Sequence, residues 1–551
     1  MLPTCRLTRS RFFWIAVSAC TATLVALPIA EILLYVGQPS DGTWQHLRET
    51  VLFRYVSNTV ILALGVALAT LLIGVGCAWL VTMCDFPCKG VLRWALLLPL
   101  AIPPYLMAYA LTDLLQYSGP VQTHLREYFQ WTKQDYWFPE IRSLPGAITI
   151  LTLSLYPYVY LAARTAFVTQ SLCVIEASRT LGAGAWATFF RVALPLARPA
   201  IAAGCTLVMM ETVAEFGAVD YCAVDTLSTG IYRTWMSRGS LEAAAQLSTC
   251  LLMGVVVLVA IETGARRQAH YFHTTQRYRD MEPWKLGRLG GAGVSVICCL
   301  PLLLGFVVPA SIFIGMTLEH GDRRAWELMF ELASNSLTVA LISACLVCLL
   351  ALMCVYAVRV TGSKITRVSN YVTGLGYAIP GGVIAIGVVA CLLRWETWVI
   401  DLCQYLWGWS PGLFLSGSIV ALLLGYQTRF LAIGLNLVQS GFARISPSMD
   451  NVGSTLGATP LQRLLRIHFP LVRGSLLAAL LFVFVEVIKE LPATLILRPF
   501  NFETLAVRVY QLASDERLPE ASTSALIIIL VGLAPVVILS RLIDRSRPGL
   551  S

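Results

Sequence analysis

The chain has 551 residues, of which 57% are hydrophobic and only 13% charged. An ordinary soluble domain carries about 25% charged residues, so this composition excludes a soluble protein and predicts that much of the chain faces lipid or a core of membrane helices. The net charge of +9 does not indicate nucleic-acid binding, because the basic residues follow a topological pattern. The 16 cysteines lie mostly inside apolar runs and are interpreted as small apolar fillers.

Twelve apolar runs are long enough to cross a membrane as helices. The first follows a basic segment and is longer than the apolar core of a signal peptide, so it is interpreted as a spanning helix with its N-terminus inside. The sequence therefore predicts an all-α membrane protein. The predicted spans are residues 12–37, 51–83, 91–115, 144–170, 194–222, 241–263, 289–317, 334–359, 371–396, 411–438, 470–498 and 521–543.

The distribution of Lys and Arg predicts the orientation, because cytosolic loops carry an excess of both. Basic residues concentrate before the first span, in the polar stretch after the sixth and in the C-terminal tail. Both termini are therefore expected in the cytosol. The predicted parts are a six-span half at 1–265 with its core at about 51–263, a basic cytosolic linker at 266–288, and a second six-span half at 289–551 with its core at about 334–545.

One predicted outside loop carries more than a bare connection would need. Residues 123–142 mix aromatic side chains with charges of both signs. Such a segment suits the membrane interface, where amphipathic aromatic rings are enriched. It equally suits a docking surface for an extracytoplasmic partner, and both interpretations stay open.

A polar loop at residues 176–201 lies between apolar runs and recurs 275 residues later (457 − 182). Gly182 is followed 13 residues later by Pro195, and Gly457 is followed by Pro470 at the same spacing. Amphipathic helices of this kind lie on a membrane or fill the groove of a partner. A passive connector has no need for matched detail, so two matched copies favour docking of a partner in the cytosol.

The repeat extends into the spans. Asn58 near the start of the second span matches Asn335 near the start of the eighth, and Pro103 matches Pro380 at the same offset of 277. An even number of spans per half places both copies the same way up, as in transporters built from parallel repeats. The prolines, including Pro104, predict kinks in the third and ninth spans.

The repeated loop resembles the EAA motif of permease subunits of ATP-binding-cassette importers. The motif stands here as Glu176-Ala177-Ser178, then Gly182, then Leu194-Pro195. The resemblance implies a coupling helix that docks in a cleft of a cytosolic ATPase subunit. In the second copy Asn451, with Asp450 beside it, replaces the glutamate. The residues carried over as ATPase-coupling are Glu176, Ala177, Gly182, Pro195, Asp450, Asn451, Gly457 and Pro470.

Acidic residues inside the spans form the second group of candidates. Glu211 and Glu215 are four residues apart, and Glu486, Lys489 and Glu490 repeat this pattern in the second half. Charges at membrane depth are costly and usually face a bundle interior or a pathway. The sequence leaves two interpretations, structural ion pairs between helices or the lining of a pathway or gate. A carboxylate pair also occurs in acid–base catalysis, but no nucleophile or metal set accompanies it.

The sequence around these glutamates resembles the iron(III) branch of the same permeases over nearly the whole chain. The matching stretches are ETVAEFGAV from Glu211, TGIYRTW from Thr229 and KELPATLILRPFNFETLA from Lys489. The resemblance implies a periplasmic ferric-ion-binding protein as donor and a location in the bacterial inner membrane. Permeases for thiamine, phosphonates and polyamines are neighbouring alternatives.

No GxxxxGK[ST] motif occurs, so ATP is expected on partner subunits, two copies of the ATPase, and the chain itself is expected to hold no cofactor and to be no enzyme. No His, Tyr and carboxylate set has the spacing of an iron site, so only transient contacts with cargo are expected. A secondary transporter that uses the membrane carboxylates and an intramembrane enzyme remain as alternatives, although neither needs an ATPase dock.

Overall fold

The computed structural model describes residues 3–40, 42–169, 178, 180–182, 184–267, 284–320 and 325–545. Regular structure in these residues is helical apart from two short strands, β1 (Cys84–Asp85) and β2 (Trp284–Lys285), which pair in parallel with Cys84 opposite Trp284. Glu176, Ala177 and most of the basic linker lie outside the described residues.

The helices up to residue 267 include long spans and short connecting helices. They are α1 (Pro3–Tyr35), α2 (Thr43–Thr50), α3 (Leu52–Met83), α4 (Lys89–Ala95), α5 (Pro104–Leu115), α6 (Pro120–Phe129), α7 (Leu144–Thr169), α8 (Ala185–Thr188), α9 (Leu194–Ala214), α10 (Gly217–Tyr221), α11 (Leu227–Arg238) and α12 (Leu241–Arg267).

The helices after residue 284 repeat much of this order. They are α13 (Arg288–Leu302), α14 (Val308–His320), α15 (Ala325–Thr361), α16 (Lys364–Gly374), α17 (Gly381–Trp407), α18 (Ile419–Phe442), α19 (Pro447–Thr455), α20 (Pro460–Arg463), α21 (Phe469–Lys489), α22 (Pro492–Leu497), α23 (Leu505–Ser514) and α24 (Leu518–Arg545).

Eleven helices of the described chain are long and apolar enough to cross a membrane. Two further segments, Lys89–Ala101 and Pro104–Phe129, are long and apolar enough only when taken together, and they meet at a bend of 94°. The number of spans is 12 if this bent pair counts as one. The prediction of an all-α, multi-pass membrane protein is confirmed. The third span predicted at 91–115 is interrupted at the consecutive prolines, where the sequence predicts a kink.

The predicted kinks are breaks between helices. A 3₁₀ turn at Leu98–Ala101 precedes α5, and another at Gly376–Ala378 precedes α17. Pro103 and Pro380 are the residues just before these two helices, with nearly equal backbone angles (φ −55°, ψ 145° and φ −56°, ψ 141°). Proline lacks the N–H that a helix interior needs but fits the start of a helix. The ninth span therefore begins ten residues later than predicted (381 − 371).

The described chain forms two compact units that do not follow the predicted sequential halves. Unit 1 combines Met1–Glu49, Gly230–Leu252 and Arg324–Arg508, and unit 2 combines Thr50–Thr229, Met253–Arg323 and Val509–Ser551. Within unit 1, α1 packs against α15, α16 and α17; within unit 2, α14 packs against α5 and α24. The division into two homologous halves stays a prediction about the repeat. In the packing, the first spanning segment of each predicted half lies in the unit that contains most of the other half, an arrangement called here the exchange of leading helices.

Each unit has a core of three long helices at matched positions of the repeat. In unit 2 these are α3, α7 and α9, and in unit 1 they are α15, α18 and α21. Helices in a membrane associate through close packing and hydrogen bonds, because lipid is as apolar as their side chains. Because the three helices of each core stand at matched positions, the sequence repeat corresponds to a repeat of packing.

The repeated Asn motif has a structural role in both units. In unit 2, Asn58 Nδ2 donates to the carbonyl of Asp225 at 2.9 Å, and the hydroxyl of Thr59 accepts from the backbone N–H of Leu227 at 3.0 Å. These bonds satisfy the backbone just before α11, where buried polar groups would otherwise be costly.

Unit 1 uses the matched residues in the same way. Asn335 Nδ2 donates to the carbonyl of Glu503 at 3.3 Å, and the hydroxyl of Ser336 accepts from the N–H of Leu505 at 2.8 Å. The Asn-Thr and Asn-Ser pairs therefore hold the start of a matched helix, α11 or α23, against α3 or α15.

Candidate coupling loops and membrane carboxylates

The first repeated loop, called loop 1 here (described residues of 178–193), makes a left-handed turn and then a helix. Gly182 has φ +81°, a conformation that favours glycine because it has no Cβ. After Gly184, α8 begins, and it passes through a π turn at Phe189–Ala193 into α9. The result is one continuous span, Ala185–Ala214, with Pro195 near the first turn of α9.

The second repeated loop, called loop 2 (residues 446–468), repeats this path. Gly457 has φ +77°. Thr459 then caps α20 in a capping box with Gln462, and a π turn at Leu464–His468 leads into α21, with Pro470 in its first turn. Glycine, short helix, π turn and proline all recur at an offset of 275 (464 − 189). π turns are rare and often occur at functional sites, so the repeat is one of backbone geometry as well as of sequence.

Each loop exposes three large apolar side chains at matched positions, called the apolar triplets. Leu181 and its counterpart Leu456 are 86% and 81% exposed. Exposed apolar clusters indicate an interaction surface. The triplets are Leu181, Trp186 and Phe190 in loop 1, and Leu456, Leu461 and Leu465 in loop 2. Of the predicted coupling residues, Gly182, Gly457, Pro195 and Pro470 shape the backbone that presents these triplets.

Asp450 and Asn451 differ in what they can offer a partner. Asn451 is exposed on α19. Asp450 is bound within unit 1: its Oδ2 accepts from Arg359 Nε at 2.7 Å, and its Oδ1 lies 2.8 Å from His468 Nε2. A contact of Asp450 with an ATPase stays a prediction, but the carboxylate already has a role in fixing loop 2.

Arg359 extends this internal network, called the loop 2 lock (Arg359, Asp450 and His468). Its two Nη atoms donate to the carbonyls of Phe442, Ile445 and Ser446, at 3.0, 2.9 and 3.2 Å. These carbonyls lie at and after the end of α18, so one guanidinium joins three elements, α15, α18 and α19. Sequence reasoning missed Arg359 and His468, because their distance from Asp450 along the chain carries no helical periodicity.

Glu215 and Glu490 lie at matched breaks in the chain. Each follows the last residue of a long helix, α9 or α21, and its carboxylate accepts from a backbone N–H three residues later, Ala218 at 3.0 Å and Ala493 at 3.1 Å. The carboxylates thus cap the short helices α10 and α22. The predicted spans 194–222 and 470–498 are wrong beyond these residues, because the backbone turns where the cap forms.

Glu490 also forms a buried ion pair. Arg429 Nη1 on α18 lies 3.1 Å from its Oε1, and the side chains of Arg429 and Glu490 are only 11% and 5% exposed. Lys489 Nζ lies 3.7 Å from Glu486 Oε1, and both side chains are more exposed than that of Glu490. Glu490 and Lys489 therefore both take part in ion pairs, and Arg429 is the partner that sequence reasoning missed. A pathway or gate role for the five candidates stays a prediction: Glu211, Glu215, Glu486, Lys489 and Glu490.

Residues 70–267 match the family model described as "Binding-protein-dependent transport system inner membrane component". The match covers 198 of the 551 residues (267 − 70 + 1). The chain is also 25% identical over 544 residues to the "Fe(3+)-transport system permease protein FbpB 2" of Haemophilus influenzae, and this alignment covers 96% of the chain and 98% of the relative.

Two further relatives differ in how much of the permease they match. The "Ferric transport system permease protein FbpB" of Actinobacillus pleuropneumoniae is 21% identical, over 91% of this chain and 73% of its own length. The "Molybdenum transport system permease protein ModB" of Escherichia coli K12 is 29% identical over 90% of its own length but only 37% of this chain. Their names are those of transport permeases, not of enzymes.

The segment between α6 and α7 keeps both of its sequence interpretations. Tyr128 and Trp137 are largely exposed, while Trp131 stacks on Phe129 with ring centroids 4.5 Å apart. An ordered aromatic cluster suits either the membrane interface or a partner surface, so each stays a prediction for this permease.

Gly381→Ala is expected to destabilise the permease by about 1–3 kcal/mol, the usual cost of overpacking. A Cβ at Gly381 would lie 2.1 Å from Arg429 Nη1 and 2.4 Å from Glu490 Oε1. Gly382→Ala is the matched control, since nothing lies within 4 Å of its Cβ position. Thermal unfolding in detergent measures both variants, and equal midpoints for the two would contradict close packing of Gly381 on the ion pair.

Proposed function

We propose that this chain is the membrane-spanning permease subunit of an ATP-driven importer for ferric iron in the bacterial inner membrane. The observation that carries the proposal is the pair of loops with the same backbone path and matched apolar triplets. A secondary transporter needs no such pair of docking surfaces, whereas an importer driven by two ATPase subunits needs one for each.

ATP hydrolysis is assigned to separate subunits in the cytosol. Each apolar triplet would enter an ATPase groove as an amphipathic helix does, with the left-handed glycine fixing the direction of the chain. Because loops 1 and 2 continue into the spans Ala185–Ala214 and Pro460–Lys489, movement of an ATPase would shift a membrane helix as a rigid body. Both termini and both loops lie in the cytosol in this proposal.

Ferric iron is favoured over other cargoes by the extent of similarity. The ferric relatives match 96% and 91% of this chain. The molybdenum permease, and a relative named "Putative 2-aminoethylphosphonate transport system permease protein PhnV" from Salmonella typhimurium, match 37% and 46%. A periplasmic binding protein would deliver the ion, and alternating access, as a two-state equilibrium biased by both partners, would carry it inward.

Leu181→Glu combined with Leu456→Glu is expected to reduce co-purification of the ATPase at least tenfold. A charge in each apolar triplet would have to be desolvated in the partner groove, and 1.4 kcal/mol already corresponds to a tenfold change in affinity. Leu413→Glu is the control, because Leu413 is also exposed (58%) but lies outside both loops.

The same preparation tests the cargo. Vesicles that hold the permease, its ATPase and its binding protein should accumulate radioactive ferric iron and not molybdate when ATP is present. Unchanged co-purification in the double variant would contradict docking through the triplets. Molybdate uptake without iron uptake would contradict the ferric assignment.

A further inference from the structure

The second half of α17 extends past the ends of two spans that pack against it in unit 1, α1 and α18. The buried carboxylate of Glu396 accepts from the backbone N–H groups of Phe414 and Ser416, at 2.7 and 3.2 Å, just before α18 begins. Arg394 Cζ lies 5.3 Å from the ring centroid of Tyr35, the last residue of α1. Beyond Glu396, α17 continues for 11 residues (407 − 396), a length of about 16 Å.

The part of the chain that projects in this way is called the outer aromatic element (residues 397–409), and no residue in it is buried in the described structure. Its exposed fractions reach 87% at Tyr405, 71% at Trp407 and 63% at Trp409. Asp401 is its only charged residue. A surface with so many large apolar side chains and a single charge indicates contact with something other than water.

Polar and apolar side chains of the element lie on different sides of the helix. Its polar stripe recurs at intervals of four and three residues and consists of Thr397, Asp401 and Gln404. Its apolar face has helical spacing on the adjacent side and consists of four exposed residues, Trp398, Leu402, Tyr405 and Leu406. Amphipathic helices of this kind lie in a membrane surface or fill the groove of a partner protein.

The surroundings of the apolar face favour lipid over a protein groove. The face continues an exposed side of the spanning part of α17, since Trp395, one turn before Trp398, is 46% exposed. Trp and Tyr are also the side chains that concentrate where lipid meets water. Trp407 stands two residues after Tyr405, on another side of the helix, and is exposed as well. A groove that covered the apolar face would leave Trp407 in water, whereas lipid surrounds a helix end on several sides.

The matched segment of unit 2 shows that the repeat does not require this apolar face. Gln130 (φ +56°) and Gly408 (φ +65°) end α6 and α17 in the left-handed conformation, at an offset of 278 (408 − 130). At this offset two exposed polar residues, His124 and Glu127, stand where unit 1 has two members of the apolar face (402 − 124 and 405 − 127). The apolar face is therefore particular to unit 1, and its partner is sought there.

We propose that the outer aromatic element lies in the interfacial layer of the lipid bilayer, at the end of α18 opposite loop 2. Its apolar face contacts the upper part of the acyl chains, and its polar stripe faces water. The element has no basic residue, so apolar burial holds it in this layer, and the charge of the lipid headgroups does not. In the orientation proposed above, the layer belongs to the periplasmic leaflet.

Photochemical cross-linking of the full-length chain in vesicles tests this surface. The photoreactive amino acid p-benzoylphenylalanine replaces Tyr405 on the apolar face or, as the matched control, Gln404 on the polar stripe, and both positions are exposed. The vesicles contain radioactive phosphatidylcholine, either alone or mixed with phosphatidylglycerol. The probe at Tyr405 should give lipid adducts within about twofold of each other in the two kinds of vesicle, and the probe at Gln404 at least about fivefold less, because only the apolar face enters the acyl chains. Size-exclusion profiles that match the unsubstituted chain establish that both chains fold.

Each outcome supports or overturns the lipid assignment. No lipid adduct at Tyr405, or equal adducts at Tyr405 and Gln404, would overturn it. Adducts that form only with phosphatidylglycerol would overturn burial without regard to lipid charge and indicate a headgroup site. A further arm adds the periplasmic binding protein proposed above, and unchanged lipid adducts at Tyr405 are expected. Cross-links from Tyr405 to that protein in place of lipid would assign the apolar face to protein docking.

Discussion

Arg429→Met is expected to destabilise the permease by about 3–5 kcal/mol, the range found when one partner of a buried ion pair is removed. The Glu490 side chain is 5% exposed. Without Arg429 its charge would stay buried, with the N–H of Ala493 as hydrogen-bond donor. Thermal unfolding in detergent, followed by tryptophan fluorescence, measures the loss as a lower midpoint.

Two companion variants make this expectation specific. Arg429→Met combined with Glu490→Gln should recover most of the stability, because the amide is neutral and its oxygen can still accept from Ala493. Lys489→Met should cost less than about 1 kcal/mol, because its pair with Glu486 is longer and less buried. A loss of stability in Arg429→Met no larger than that in Lys489→Met would contradict the structural role of the buried ion pair.

Arg359→Met is expected to lower ATPase-dependent iron uptake at least tenfold while leaving the spans inserted. It removes the bond to Asp450 and the bonds to the carbonyls of Phe442, Ile445 and Ser446. Hydrogen bonds from a charged group contribute about 1.5–3 kcal/mol each, so loop 2 would no longer be held against α15 and α18. Initial rates of iron uptake by vesicles measure the effect.

The control for the loop 2 lock is Asn436→Ala, which is exposed on α18 and lies outside loop 2. Its uptake should stay within about twofold of the unsubstituted chain, since surface substitutions rarely exceed 0.5 kcal/mol. Equal losses in Asn436→Ala and Arg359→Met would contradict a specific role of the lock in coupling. Arg359→Met is also expected to release the ATPase from the purified complex, together with its loss of iron uptake.

The repeat was the strongest source of correct prediction. Matched spacing of Gly182 to Pro195 and of Gly457 to Pro470 corresponds to a matched left-handed turn, short helix and π turn. Such local geometry is predictable because it depends on residue types a few positions apart. The number and approximate place of the spans were predictable for a similar reason, since lipid requires long apolar helices.

Breaks within apolar stretches were not predictable from hydrophobicity. The sequence after Glu215 stays apolar, yet α9 ends because the carboxylate turns to cap α10. Tertiary partners were hidden for a second reason. Arg429 and Glu490 are 61 residues apart, and Arg359 and Asp450 are 91 residues apart, so no periodicity joins them.

The exchange of leading helices has a consequence for the order of synthesis. The partners of α1 in unit 1 begin with α15 at Ala325, which leaves the ribosome 290 residues after Tyr35 (325 − 35). At 5–20 residues per second this is a delay of roughly 15–60 s. During that time Glu31 has no Arg394, its partner at 3.2 Å in the finished protein. The nascent first helix must therefore be sheltered, by the insertion machinery or by water near the bilayer surface, until the second half of the polypeptide arrives.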